Sequence, residues 1–174
     1  MEDDGVSIVI TLTSVEAMQA AMIGIMRHVQ DLKQGLHARY GLLPGNAWQI
    51  HIEGACGEMA VAKHYGKYWN GNIGNLKAHD VEHLEVRTTR HENGRLILHK
   101  ADPDDAVFIL LTGICPSYTL RGWIRGTDGK KAEFWDEPRA GRAAYFVPAS
   151  QLTQTQILGP EFAPRPMPWD GPTS

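Results

Sequence analysis

Cysteine is scarce. The 174 residues hold only Cys56 and Cys115, both in apolar surroundings and outside any C-x-x-C or zinc-ligand spacing. That excludes a disulfide framework and a thiolate zinc ribbon, and it favours a reduced, cytoplasmic setting. Long hydrophobic runs are missing as well. No stretch approaches the roughly 18 apolar residues of a spanning helix, and the acidic opening MEDDG lacks the basic start of a signal peptide. Positive charge is not in excess either: the formal net charge is −3. Bulk electrostatics therefore cannot hold a polyanion, and any nucleic-acid site must be a local patch. Internal repeats are absent.

What is present suits one globular domain, with 43% hydrophobic and 21% charged residues. We assign that domain to residues 1–158. From Gly159 onward, GPEFAPRPMPWDGPTS carries five Pro in sixteen residues and reads as an extended tail over 159–174.

The β-branched SIVITLT (7–13) predicts an extended segment leading into a helix, with Thr13 and Glu16 spaced as a capping box. Val15, Met18, Met22, Ile25, Met26, Val29 and Leu32 then recur every three or four residues up to Gly35. This stripe reads as core. Its Met content leaves an adaptable binding face, including contact with a second copy, as the alternative. Asn46 is placed to cap a second helix, WQIHIEGACGEMAVAKHYG, whose stripe is Ile50, Ile52, Ala55, Met59, Ala62 and Tyr65. Glu53 and Glu58 lie within this small-residue segment, and a carboxylate there needs a partner or a metal.

After an Asn- and Gly-rich stretch (67–77), LEVRTT (84–89) predicts a strand. ENG (92–94) predicts a hairpin turn that returns RLILH (95–99) antiparallel to it. VFILLTG (107–113) has the unbroken apolar run of a central strand, YTLRGWIRG (118–126) alternates like its neighbour, and AYFVP (144–148) closes the list of strands. DPDD (102–105) offers carboxylates to a cation, but Asp followed by Pro in a strand-ending turn explains it more cheaply. The expected fold class is α+β with an α/β-like character: a mixed sheet with two N-terminal helices packed on it.

HDVEHLEVRTT (79–89) carries far more charge than a half-buried strand requires. The period of two puts Glu85, Arg87 and Thr89 on one face, and a bend upstream brings the Asp80 carboxylate beside Glu85. Two close carboxylates repel each other, and Mg²⁺ or Mn²⁺ relieves that repulsion with oxygen ligands. Such an ion polarises a phosphoryl oxygen and acidifies a bound water. Glu58 is available as a third acid.

The order of a helix containing GEMAVAK, then an Asp, then E-x-R on a strand followed by TT, resembles the PD-(D/E)XK nuclease superfamily, including small phage and bacterial members. The likeness covers roughly residues 48–148. It implies a restriction-endonuclease-like core, a Mg²⁺ (or Mn²⁺) cofactor and cleavage of nucleic acid, most readily DNA. Residue by residue, it implies that Glu58 is the helical acid, Asp80 the motif aspartate, Glu85 the second carboxylate and Arg87 the lysine position. His79 stands where the motif has Pro. Arg87 stands where it has Lys, and since Arg cannot release a proton it can orient water and stabilise charge but not act as a base. Lys100, on the expected returning strand, is the alternative ammonium.

Plainer readings stand beside these. The acids and Arg87 also suit a salt-bridged, solvated edge strand, and Glu58 also suits an ion pair with Lys63 or Arg87. The histidines at 51, 64, 79, 83, 91 and 99 match no zinc spacing. Arg90, Arg95, Arg121 and Arg125 fall on adjacent expected strands and are the candidate nucleic-acid contacts. The second function class is a degenerate nuclease fold that binds nucleic acid or a partner protein without cutting.

Overall fold

The β-branched start forms strand β1, Ile8–Thr11. The computed structural model describes residues 8–35, 46–73 and 79–154, and β1 in it runs directly into helix α1, Ser14–Lys33. The capping box forms as the spacing predicts. Thr13 Oγ1 accepts from the Glu16 amide at 3.2 Å, and the Thr13 amide donates to Glu16 Oε2 at 2.7 Å. α1 ends before Gly35, which takes the left-handed conformation (φ 65°) that only glycine adopts without strain. Helix α2, Ala47–Tyr65, starts at Asn46 as expected, but the Asn46 side chain makes no capping bond. YGLLPGNAW (40–48) is expected as a loop; its residues 40–45, residues 74–77 of the Asn- and Gly-rich stretch and the Pro-rich tail at 159–174 lie outside the described residues.

The strands are β2 (Leu84–Thr89), β3 (Leu96–Leu98), β4 (Val107–Ile114), β5 (Ser117–Arg125), β6 (Trp135–Asp136) and β7 (Ala144–Val147). A four-stranded mixed sheet has the order β1-β5-β4-β2, with β2 parallel to β4. A second, three-stranded sheet has the order β3-β7-β6. The chain is therefore α+β among the described residues, with two helices on a mixed sheet.

β4 is buried on both faces, as its apolar run predicts. Val107, Ile109 and Leu111 point into a core shared with Ala60, Val61, Leu84, Val86 and Tyr118. Phe108 and Leu110 point the other way, into a second core with Leu96, Leu98, Ile124 and Val147. The second sheet exists to cover that other face.

Two expectations are corrected. The hairpin between 84–89 and 95–99 does not form: β3 pairs antiparallel with β7, in register Ile97 to Phe146, and β2 pairs with β4. The turn at 91–94 is real, but the exposed underside of β4 attracts β3 more strongly than β2 does, because Leu96 and Leu98 become fully buried there. The Met stripe of α1 is likewise not core. Val15, Met18, Met22, Met26 and Leu32 are 47–71% exposed, while Ala20, Gly24 and His28 face inward. The reason is close helix packing: a Cβ on Gly24 would stand 2.6 Å from the Ile52 Cα and the His51 carbonyl oxygen, so only a small-residue face of α1 fits against α2.

Candidate active site

α2 reaches β2 through its glycines. A Cβ on Gly57 would collide with the Thr88 methyl group, so the helix backbone lies directly on the strand. That contact carries the next residue, Glu58, to the edge of β2, where it is only 4% exposed. The buried carboxylate does have its partner. Arg27 of α1 forks onto it, at 2.5 Å to Oε1 and 2.7 Å to Oε2, and the Trp69 indole N–H donates to Oε2 at 2.9 Å. Arg27 is itself steadied by the Asn72 carbonyl at 2.7 Å. Glu53, the other acid on this helix, accepts from the Tyr118 hydroxyl at 3.2 Å and stands 3.6 Å from Arg90.

A tight turn brings the opening charges together. Val81 and Leu84 bond each other's backbone across Glu82 and His83, and Glu82 takes φ 53°, an unusual setting for a side chain larger than Gly or Asn. Glu82 is held there by Lys67 at 3.2 Å. The chain thereby doubles back so that Asp80 Oδ2 accepts the Val86 amide at 2.7 Å. Period two then leaves Leu84 and Val86 buried and Glu85 and Arg87 on the opposite face.

Arg87 stands between the acids. Its Nη1 lies 3.6 Å from Glu85 and 3.9 Å from Asp80, and its Nη2 lies 3.3 Å from Asp102. The guanidinium rests on the Phe108 ring, 5.1 Å from the centroid. Phe108 is the β4 register partner of Glu85, so the parallel pairing sets this stack. His79 Nδ1 meets Glu85 Oε1 at 2.8 Å, and Asp102 is oriented by the His99 amide at 2.8 Å.

Asp80 carries the electrostatic signature of the site. Its pKa is pushed up from 3.8 to about 7, first by burial and then by the charges of Glu58 and Glu85; the Val86 amide and Arg87 only partly offset this. Three acids thus act on one another across a small volume. Among the described residues, no three His, Cys, Asp or Glu side chains are gathered as ligands of one ion. Both Glu58 oxygens are bonded already, to Arg27 and Trp69. Asp80 and Glu85 face the same guanidinium nitrogen, so the cation between them is Arg87.

Lys100 is not among these groups. Its ammonium lies 4.4 Å from the centre of the Trp135 ring, because β3 belongs to the second sheet. The four arginines expected on one face are also divided. Arg90 is engaged by Glu53, and Arg121 donates to Thr112 Oγ1 at 2.7 Å and to the Glu92 carbonyl at 3.0 Å. Arg125 lies at the end of β5. Only Arg95 lines a groove that also contains Arg87.

Sequence reasoning missed Arg27 and Trp69, and it weighed Asp102 as a turn residue or cation ligand rather than as the partner of Arg87. Arg27 was the most accessible of these, as the one Lys, Arg, Asp or Glu among residues 17–30. Asp102 looked like turn chemistry, and nothing local marks it as the partner of a residue fifteen positions away. Compared with protein-family models, with curated proteins and with solved structures, the chain gives no match.

Proposed function

We propose that the chain is a metal-dependent phosphodiesterase with a restriction-endonuclease-like core, acting on nucleic acid and most readily on DNA. The observation that carries this reading is Asp80, a carboxyl pushed up to about 7 beside Glu58 and Glu85, with Arg87 between two of the three. Strongly displaced acids clustered with a cation mark working sites more often than decoration. Asp80 and Glu85 would hold Mg²⁺ or Mn²⁺, and such an ion supplies Lewis acidity and an acidified water. Arg87, anchored by Asp102 and stacked on Phe108, orients the phosphate and answers its developing charge without acting as a base. Glu58, held by Arg27 and Trp69, acts on Asp80 through its charge rather than as a ligand.

A second reading has its own observation. Glu58 is fully engaged by its partners, and Arg87 cannot give up a proton, as suits a degenerate fold that binds without cutting. Digestion of plasmid and single-stranded DNA in Mg²⁺, Mn²⁺ or EDTA separates the two. Cleavage by the wild type that needs metal and is lost in Asp80→Asn and Glu85→Gln supports the enzyme. Metal-independent binding with no cleavage supports the degenerate module. Equal cleavage by all three proteins sinks the site.

We also assign the exposed face of α1 to a second copy of the chain. Val15, Met18, Met22, Met26 and Leu32 form an exposed apolar stripe along α1, the kind of patch that a second copy covers in an isologous pairing. The charges of α1 are taken up within the chain, Glu16 by Lys63, Arg27 by Glu58 and Asp31 by His51, leaving only Lys33 at the helix end. A neighbouring groove of about 510 Å³, lined by Met18, Met22, Met59 and Trp69, widens the seam. That matters because a stable dimer buries about 800 Å² per partner, more than one helix edge supplies.

A further inference from the structure

Two cavities on the Arg87 side of the molecule share a wall. One, of about 410 Å³, is lined by Arg87, Thr89, His91 and Arg95. The other, of about 730 Å³, is lined by His99, Arg139, Gly141 and Arg142. Ile97, Pro138 and Phe146 line both, so they form one continuous groove that begins at the Arg87 guanidinium and runs along the second sheet.

Its charge is one-sided. Beyond Arg87, whose charge is met by Glu85, Asp80 and Asp102, three arginines and two histidines line it against a single acid, Asp136, whose carboxylate accepts from the Glu137 amide at 2.8 Å. Glu137 turns into its own loop, accepting the Gly141 amide at 2.6 Å, and Gly141 at φ 75° closes the turn that sets out Arg139 and Arg142. In a chain of net charge −3 this is a concentrated positive channel. The floor is different: Ile97 and Phe146 offer an apolar surface between the basic rims.

Resting on the nuclease reading above, we propose that this groove holds an unpaired nucleic-acid strand. Arg95, Arg139 and Arg142 take its phosphates and Phe146 and Ile97 take its bases, and the strand leads into the site at Arg87. A paired duplex hides its base faces and has no use for an apolar floor. An unpaired strand exposes them, and stacking on aromatic or apolar surface is how such strands are bound without sequence readout.

The test titrates labelled single-stranded DNA, and a duplex of the same sequence, with the full chain in EDTA over a range of salt, and compares wild type with Arg139→Ala/Arg142→Ala. Each lost phosphate contact on a single strand removes about 0.7 from the slope of log K against log salt. The double variant should therefore bind the strand with a slope shallower by about 1.4 and roughly 25-fold more weakly at 0.1 M salt, and Arg139→Lys/Arg142→Lys should restore most of both. Wild-type affinity and slope in the alanine variant overturn the groove. Tighter wild-type binding of duplex than of strand overturns the preference for an unpaired partner. If the wild type cuts DNA in Mg²⁺ while the double variant is unaffected, only the groove falls. If the wild type neither binds nor cuts either DNA, the nuclease reading falls with it.

Discussion

Replacing Asp80 by Asn should make the metal-free protein more stable while removing its activity. An acid whose folded pKa is raised favours its protonated form in the native state. From about pH 4 upward the unfolded chain has released that proton while the folded chain keeps it until about pH 7. Stability therefore falls as pH rises through this window, and the penalty is fully present above it. The displacement from 3.8 to about 7 corresponds to an upper figure of about 4 kcal/mol. The Asp80 side chain keeps 25% of its surface exposed, so solvent screening and the mutual dependence of the three acids reduce this to about 2 kcal/mol. Asparagine keeps an oxygen for the Val86 amide and removes the charge. At pH 8 without metal the variant should melt about 4–8 °C above wild type, and the gap should close near pH 4. Mg²⁺ should raise the wild-type Tm by ligand linkage and leave the variant unmoved. Calorimetry at pH 4, 6 and 8, with and without Mg²⁺, measures all of this. A variant less stable than wild type at pH 8, or a gap independent of pH, would refute the reasoning.

Arg27→Ala strands the Glu58 carboxylate in its 4% exposed setting and should destabilise by about 3 kcal/mol, seen as a fall in the urea midpoint. Glu58→Gln in that background should recover part of the loss; no recovery would mean that the charge was not the cause. Arg87→Ala should lower cleavage by about a hundredfold through lost charge stabilisation, with Arg87→Lys recovering most of it, and unchanged turnover in the alanine variant would remove Arg87 from the chemistry. Met22→Glu sets a charge in the middle of the α1 stripe, where Met22 is 57% exposed, and should convert a dimer to a monomer in sedimentation or light scattering without changing Tm by more than a few degrees. A wild type that is monomeric at high concentration refutes that assignment.

Much of the secondary structure was legible because it is local. The capping box at Thr13 and Glu16, the Gly35 stop, the doubly buried run of β4 and the alternation of LEVRTT each follow from a few neighbouring residues. The candidate site was half legible for the same reason. Asp80, Glu85 and Arg87 lie within eight residues, and one tight turn suffices to join them.

The partners were not legible, because each comes from a distant segment and is chosen by packing. Arg27 reaches Glu58 only because Gly24 lets α1 lie on α2, and Asp102 reaches Arg87 only because the chain leaves β3 toward β4 at that point. Period alone could not say which face of α1 is buried, since the Met stripe and the Ala20, Gly24 and His28 face repeat at the same spacing. Nor could the turn at 91–94 say where β3 would go. The sequence by itself determined where the two long helices and most strands lie, β6 excepted, and which acids stand near one another. Only the tertiary structure decided which apolar face is covered and which cation meets which carboxylate, because burial depends on close approach between segments far apart in the chain.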